Sequence, residues 1–132
     1  MDSVKQSYAV VPFRHKVGAV SRILAVTDAE AAIVFVRTKS TAEDVAIELS
    51  GRGIQAAAIS GDVPQRERER LIERLRQGSL DVLVATDVAA RGLDVDRIGL
   101  ELTLMCRVRL RPMCTVLVVL AAPGAPVKLS LS

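Results

Sequence analysis

The stretch that decides the fold is VLVATDVAARGLDV, residues 82–95. Its first four residues are apolar, and they run into Thr86 and Asp87, a segment of small residues and then RGLD at 91–94. A continuous Val/Leu run bounded by turn-forming residues is typical of a strand covered on both faces, as in a parallel sheet. Polar side chains at the carboxyl end of such a strand lie where open α/β sheets bind ligands. The same pattern also fits a buried strand followed by a solvated loop without a ligand.

The composition predicts one soluble domain. A chain of 132 residues is long enough to bury a single core, and with 2% aromatic residues and no Trp that core must consist of Val, Leu, Ile and Ala. No basic segment and apolar run follow Met1, so we expect no secretory leader. The longest uncharged apolar stretch, residues 112–127, contains three prolines and is shorter than the ~20 residues that a membrane helix needs. We therefore expect a cytoplasmic protein without a membrane partner.

The charge pattern breaks near residue 100. Of the 18 Lys/Arg and 15 Asp/Glu residues, four basic residues and one acidic residue lie from Glu101 onward, so the first 100 residues are neutral. Cys106 and Cys114 also lie in this second part. Without a secretory leader they are expected to be reduced thiols, and no set of His and Cys residues has zinc-ligand spacing. The chain therefore consists of two parts that differ in charge and in cysteine content.

Apolar runs alternate with helical patterns along the first 100 residues. Strands are predicted at 7–13 (an edge strand), 31–36, 55–59 and 81–85, and helices at 16–26, from about 41 to 52, and at 64–78. For the second helix we expect a cap at Ser40 or Thr41 and an apolar face that includes Val45, Ile47 and Leu49. The short connections predict right-handed βαβ units and a parallel sheet.

Three strands end in polar segments, which are Arg37-Thr38, Ser60-Gly61-Asp62 and Thr86-Asp87. In a parallel sheet these ends share one edge, where hydroxyls, a glycine backbone and arginine suit contact with phosphates but read no bases. The chain has no GxxxxGK[ST] phosphate loop, no Ser/His/Asp set and no metal cluster, and its lone His15 is expected at the surface. This part can bind a phosphate backbone but has no visible means to hydrolyse a nucleotide.

At this point residues 6–100 closely resemble the second, C-terminal RecA-like domain of a bacterial-type DEAD-box RNA helicase. AAIVFVRTKSTAEDVAIELSGRG (31–53), ISGDVPQRERERLIERLRQG (59–78) and VLVATDVAARGLDV resemble three of its motifs, in the family's order. The second motif includes the family's Q-x-x-R spacing. The resemblance implies an α/β fold, a three-layer RecA-like domain of the P-loop NTPase type with a parallel sheet, incomplete at its C-terminal end.

The resemblance also implies roles for individual residues. Those that would contact the RNA backbone are Arg37, Thr38, Gly61 and Thr86; those that would lie at the ATP cleft are Arg91, Gly92 and Asp94; and further motif positions are Gln65, Arg68 and Asp87. Alternatively, Arg68 pairs only with a glutamate of its own helix, since charge runs are often solvated helix faces. No metal ligand is implied.

Several parts of the family's enzyme are missing from the sequence. The phosphate loop and the D-E-A-D carboxylates, which belong to the family's first domain, are absent. The H-R-x-G-R-x-x-R arginine-finger motif is expected near residues 114–121, where the chain reads CTVLVVLA. ATP and magnesium are therefore expected only in a complete two-domain helicase, with RNA and the first RecA-like domain as partners. Alone, the chain is predicted neither to hydrolyse ATP nor to unwind RNA.

A one-base frameshift explains the second part of the chain. If the last base of each codon is read with the first two of the next, permitted codons for residues 114 onward can encode HRIGRTGRAGR, the missing motif. Our hypothesis is a one-base deletion just after Leu100, in the gene or in its sequencing, which divides the chain into a partial helicase domain (1–100) and a divergent tail (101–132). Residues 101–105 are still expected to form a strand beside the one at 81–85, and residues 115–120 are an aggregation hazard if exposed.

The sequence is compatible with more than one function. The chain is either the C-terminal domain of an ATP-dependent RNA helicase or a non-catalytic remnant that binds RNA or a partner protein. A basic tail that attracts nucleic acid is a further, weaker reading of residues 107–111. A related superfamily 2 DNA helicase is a further alternative, because these motifs do not distinguish RNA from DNA. An unrelated nucleotide-binding α/β protein is disfavoured, since no phosphate loop is present.

Overall fold

Strands and helices alternate in the predicted order from residue 4 to residue 86, and two further strands follow. The computed structural model describes residues 4–27, 29–86 and 95–121. Helices α1, α2 and α3 span Lys16–Val26, Lys39–Gly51 and Gln65–Gln77, a 3₁₀ turn lies at Phe13–His15, and the strands are β1 (Val4–Pro12), β2 (Ala31–Val36), β3 (Ala56–Ile59), β4 (Val82–Thr86), β5 (Ile98–Arg107) and β6 (Met113–Ala121).

All six strands form one mixed sheet in the order β1-β6-β5-β2-β4-β3. Strands β2, β3, β4 and β5 run parallel, and β6 pairs antiparallel with both β5 and β1. The predicted parallel sheet is confirmed for these four strands, and β1 lies at the sheet edge as the sequence predicts.

Helices cover both faces of the sheet around β2, where all six residues are buried. On one face, α1 and α2 pack through residues such as Val20, Val45 and Leu49 against alternate residues of β2, β4, β5 and β6. On the other face, α3 packs through Leu71 and Leu75 against β2, β3 and β4. These three layers confirm the predicted α/β RecA-like architecture.

The start of α2 differs from its prediction. The Thr41 backbone N–H donates to Thr38 Oγ1 at 3.2 Å, so the cap is Thr38 and not Ser40 or Thr41. Thr38 has an extended backbone, which a cap residue needs, whereas Ser40 and Thr41 already lie within the helix. Ile47 is 69% exposed, because the buried face follows the spacing Ala42, Val45, Ala46 and Leu49.

The strand at 101–105 exists, but the prediction of its neighbour is wrong. β5 pairs with β2, where Phe35 lies opposite Thr103. It does not pair with β4, because β4 already lies between β2 and β3. The segment 115–120 belongs to the internal strand β6, which lies between β5 and β1, and its residues Val116 and Val118 are buried in the core. The structure therefore extends the sheet to residue 121.

The expectation of reduced thiols is wrong in this structure. Cys106 and Cys114 are register partners in the β5–β6 hairpin, with their Cα atoms 4.0 Å apart, and they form a disulfide. Directly opposite residues of an antiparallel pair bring their side chains together on one face of the sheet. The sequence spacing did not show this pairing, because it depends on a hairpin that the sequence did not predict.

Candidate nucleic-acid interface at the carboxyl edge of the sheet

Three polar strand ends meet where β2, β3 and β4 finish. Ala85 is the register partner of Phe35 in β2 and of Ile59 in β3. The residues that follow in each strand therefore lie side by side, with neighbouring strands about 4.8 Å apart. They are Thr86 in β4, Val36-Arg37 after Phe35 in β2, and Ser60-Gly61 after β3. We call this end of the parallel strands the carboxyl edge, and the opposite end the amino edge. The prediction that these strand ends share one edge is confirmed.

Arg37 and Gly61 are exposed at the carboxyl edge, and Thr86 is half-buried at the end of β4. Among the described residues, Arg37 has no ion-pair partner. Its guanidinium group is therefore available to an anion from solvent. Gly61 has no side chain between its backbone and solvent, and Thr86 presents one hydroxyl group.

Thr38 is also exposed, but its hydroxyl group already has structural partners. Thr38 Oγ1 accepts from the Thr41 N–H and donates to Thr41 Oγ1 at 2.8 Å. It is also 3.4 Å from Ser40 Oγ. This network stabilises the first turn of α2 directly after Arg37. Thr38 therefore positions the edge as well as being a candidate for phosphate contact.

A second network joins the loop after β3 to the start of α2. Lys39 Nζ forms an ion pair with Asp62 Oδ2 at 2.8 Å, and Ser60 Oγ donates to Asp62 Oδ1 at 2.5 Å. These bonds, from Lys39 first and then from Ser60, lower the pKa of Asp62 to about 2. The same hydrogen bond and charge raise the pKa of Lys39. The pair links the Gly61 turn to the first residue of α2 at the protein surface.

Sequence reasoning did not identify Lys39 and Asp62 as a pair. They are 23 residues apart, and only the adjacency of strand ends brings them together. One sequence signal could have identified the pair. Lys39 and Asp62 each lie three residues after the end of a predicted strand, and such ends lie together in a parallel sheet.

The two remaining motif residues with described positions lie at the start of α3. Gln65 is exposed, and its Nε2 donates to Glu69 Oε1 of the same helix at 3.2 Å. Arg68 is half-buried, and its backbone N–H donates to the carbonyl of Pro64 at 2.9 Å. Both contacts lie within the first turns of α3, which follows the Ser60–Asp62 turn along the chain.

Four predicted site residues lie outside the described residues, namely Asp87, Arg91, Gly92 and Asp94. The chain is described again from Val95, which is buried, and Ile98 follows at the start of β5 with its N–H bonded to the Val95 carbonyl. The predicted ATP-cleft segment is therefore part of the connection between β4 and β5 along the chain.

Within the described ranges, no group of three or more His, Cys, Asp or Glu side chains could hold a metal ion. No helix in these ranges is long and apolar enough to cross a membrane. The phosphate loop and acidic tetrapeptide of a complete NTP hydrolase are absent from the sequence. The groups present at the carboxyl edge, which are an arginine, hydroxyls and a glycine backbone, suit anion binding.

Comparisons with known proteins agree with this geometry. Residues 15–105 match the family of the helicase conserved C-terminal domain. The ATP-dependent RNA helicase DeaD of Mycobacterium tuberculosis is 58% identical over 98 residues, which are 74% of this chain and 17% of that protein. The chain thus spans about a sixth of the length of that curated relative.

Solved structures extend the likeness to three dimensions. A DEAD box protein from the hyperthermophile Methanococcus jannaschii has a TM-score of 0.66 and 34% identity, over 74% of this chain and 26% of that chain. Saccharomyces cerevisiae Dbp5, solved bound to RNA and ADP BeF3, has a TM-score of 0.59 and 30% identity, over 67% of this chain and 23% of that chain. The chain therefore belongs to the helicase conserved C-terminal domain family, and it is similar in sequence and fold to that part of DEAD-box proteins.

Proposed function

We propose that the carboxyl edge binds the phosphate backbone of single-stranded RNA through Arg37, Thr38, Gly61 and Thr86. The observation that carries this proposal is the convergence of an exposed arginine, a glycine turn and a threonine hydroxyl on three adjacent strand ends. Groups of this kind position a backbone and carry no base specificity. The S. cerevisiae relative solved with RNA supports the same partner class.

Arg91, Gly92 and Asp94 are proposed to contact ATP in an enzyme that also contains the first RecA-like domain. The relatives that share these motifs are named ATP-dependent RNA helicases. ATP and magnesium would be held mainly by that other domain, because this chain has neither its phosphate loop nor its acidic tetrapeptide. The bacterial relatives also support a cytoplasmic location.

A second candidate function is that of a non-catalytic RNA-binding module. It differs from the first only in needing no other domain, and the pairing of β2, β3 and β4 supports it, because this pairing aligns the candidate groups within the chain itself. A DNA helicase of the same superfamily uses similar backbone contacts, so comparing RNA with DNA of identical sequence separates that alternative.

The proposal is tested by RNA binding of the purified chain. Arg37→Gln is expected to raise the Kd for a fluorescent ten-nucleotide oligouridylate about tenfold, because a hydrogen bond to a charged group is lost. Thr86→Val is expected to raise it about fivefold, because one hydrogen bond from an uncharged donor to the phosphate is lost. Fluorescence anisotropy at fixed salt measures both changes.

The matched control is Arg52→Gln, which removes one positive charge at the amino edge, at the end of α2. Its Kd is expected to equal that of the wild type. Equal Kd values for all four proteins, or no RNA binding by the wild type, would overturn the proposal. The chain alone is expected to show no RNA-stimulated ATPase activity, and substantial release of phosphate would contradict the dependence on another domain.

A further inference from the structure

The turn between β5 and β6 brings three more arginines to the carboxyl edge. Because β5 is parallel to β2, its end at Arg107 lies on the same side of the sheet as Arg37. Phe35 is the register partner of Thr103, so Arg37 lies opposite Met105. Arg107 therefore lies two residues, or roughly 7 Å, beyond Arg37 along the strand direction. Arg109 and Arg111 follow in the exposed turn.

A groove lies between the ends of β2 and β5. It is on the same side of the sheet as α3, but outside the area that α3 covers. It has a volume of about 670 Å³, and its lining includes Arg37, Arg107, Met105, Met113 and Val10. This volume is within the range of about 300–1,000 Å³ that is usual for small-molecule sites. Met105 is 46% exposed and Val10 is 56% exposed, so the groove is open to solvent.

The charges of the groove suit an anion. Its lining residues include two arginines and no acidic residue. Among the described residues, Arg107 has no ion-pair partner, as is also true of Arg37. The nearby Asp62 is already paired with Lys39.

At the amino edge, basic and acidic side chains lie close to one another. There Arg97 lies 4.0 Å from a carboxylate oxygen of Glu30 and 3.6 Å from one of Asp81. A second groove at that edge is lined by Glu30, Asp81 and Arg52, so its charges largely compensate one another. The groove at the carboxyl edge differs in that its lining contains two arginines and no acidic residue, so an anionic ligand is attracted there.

We propose that the β5–β6 turn and this groove bind one further nucleotide of single-stranded RNA, with its phosphate between Arg37 and Arg107 and its base against Met105, Met113 and Val10. The inference rests on the proposed function of Arg37. It adds a base-contacting site and a second arginine from a part of the chain that lies outside the three helicase motifs. A base that is not stacked in a duplex has an apolar face that such a wall can cover.

RNA fits better than an acidic peptide because the groove continues the row of backbone-contacting groups. From β3 across β4 and β2 to β5, the candidate groups are Gly61, Thr86, Arg37 and Arg107. Four adjacent strands span about 14 Å. This distance accommodates two to three successive phosphates of an extended single strand, so one RNA strand can contact the whole row.

The test is a salt titration of oligouridylate binding by the full chain. Arg107→Gln is expected to raise the Kd three- to tenfold and to reduce the slope of log K against log salt by about 0.7, the value for one phosphate contact on a single strand. Arg107→Lys is expected to retain the slope. Arg52→Gln loses the same charge at the amino edge and is expected to change neither quantity.

The base contact is tested with an abasic ribose-phosphate oligomer of equal length. The wild type is expected to prefer oligouridylate several-fold. Met105→Ser is expected to abolish this preference while retaining the salt slope, because it changes the groove wall and no charge. Equal binding of the two oligomers by the wild type would overturn the base contact.

The remaining outcomes separate this inference from the proposed function. If Arg37→Gln weakens RNA binding and Arg107→Gln does not, the groove is not an RNA site and the proposed function stands. If the wild type does not bind RNA, both proposals fail. Tighter binding of polyglutamate than of oligouridylate, or dimerisation that buries the groove, would also overturn the inference. Circular dichroism checks that each variant is folded, as expected for substitutions of exposed side chains.

Discussion

At the scale of single residues, Glu101 is the most unfavourable choice in the sheet. It lies in β5 with Ile33 of β2 on one side and Val119 of β6 on the other, and it is only 8% exposed. Burial among apolar neighbours disfavours the charged carboxylate, which raises the pKa of Glu101 to about 7 from its ordinary 4.5. Near neutral pH the carboxyl group is therefore partly protonated in the folded protein.

This residue makes stability depend on pH with a definite sign. Below about pH 4.5 Glu101 is protonated in both states, so its full contribution to folding is retained. As the pH rises towards 7, the unfolded chain releases its proton while the folded chain keeps it, and stability falls. The free energy of unfolding is expected to decrease by about 2–3 kcal/mol between pH 5 and pH 8, which urea denaturation measures.

Glu101→Gln is the matched variant because it retains the shape and removes the titration. Its free energy of unfolding is expected to be nearly flat between pH 5 and pH 8. Asp62 does not interfere in this range: its pKa is lowered to about 2, so its contribution is present above its ordinary pKa and is lost only as the pH falls towards 2. If the wild type and Glu101→Gln have parallel pH profiles, this explanation is wrong.

The sequence predicted the strand-end positions of several candidate site residues, because the signal for a strand end is local. Arg37, Gly61 and Thr86 each follow a short apolar run, and a parallel sheet necessarily aligns such ends. The Lys39–Asp62 pair depends on contact across 23 residues, which no local pattern contains. The Thr38 cap was missed because several neighbouring hydroxyl residues were equivalent candidates until the first turn of α2 was defined.

At the scale of elements, the β5–β6 hairpin is held by pairing along its whole length and by the Cys106–Cys114 disulfide. The bridge closes a short loop, with a sequence separation of 8. In the chain-entropy description such a loop stabilises the folded state by about 2–3 kcal/mol. Reduction is therefore expected to lower the free energy of unfolding by about that amount, as measured by urea denaturation with and without a thiol reductant.

The control for this prediction is the double variant Cys106→Ser, Cys114→Ala, whose stability is expected not to respond to reductant. Thiol titration of the unfolded wild type without reductant is expected to find no free thiol. Two reactive thiols per chain, together with no effect of reductant, would show that the hairpin folds without the bridge.

Elements with strong periodicity were predicted well, and their neighbours less well. The helix α3 ends at Gly78 with φ +93°, as its glycine signal predicts, because only glycine adopts this left-handed conformation without strain. β5 was assigned to the wrong neighbour because periodicity defines a strand but not its partner. Only the arrangement of β3 on the far side of β4 leaves β2 as the available edge.

At the scale of the whole molecule, the sheet extends beyond the helicase family match. The match ends at residue 105, whereas β6 continues to Ala121 and lies between β5 and β1. An internal strand requires mainly that alternate residues be apolar, and Cys114, Val116 and Val118 meet this requirement. A sequence from a shifted reading frame can satisfy so simple a pattern, which is why integration into the sheet does not contradict the frameshift hypothesis.

The last prediction concerns the gene. We predict that an additional base between the codons for Ile98 and Arg107 restores a frame that encodes HRIGRTGRAGR in place of the segment that begins at Cys114. The reason is that arginine fingers stabilise the charge that develops in phosphoryl transfer, whereas the segment CTVLVVLA contains no arginine. Sequencing both DNA strands across these codons decides the question, and the codons for residues 82–95 provide the in-frame control. Codons that cannot encode the motif in the shifted frame would refute the hypothesis; the tail would then be an authentic part of the fold, and its arginine turn the natural extension of the RNA-binding edge.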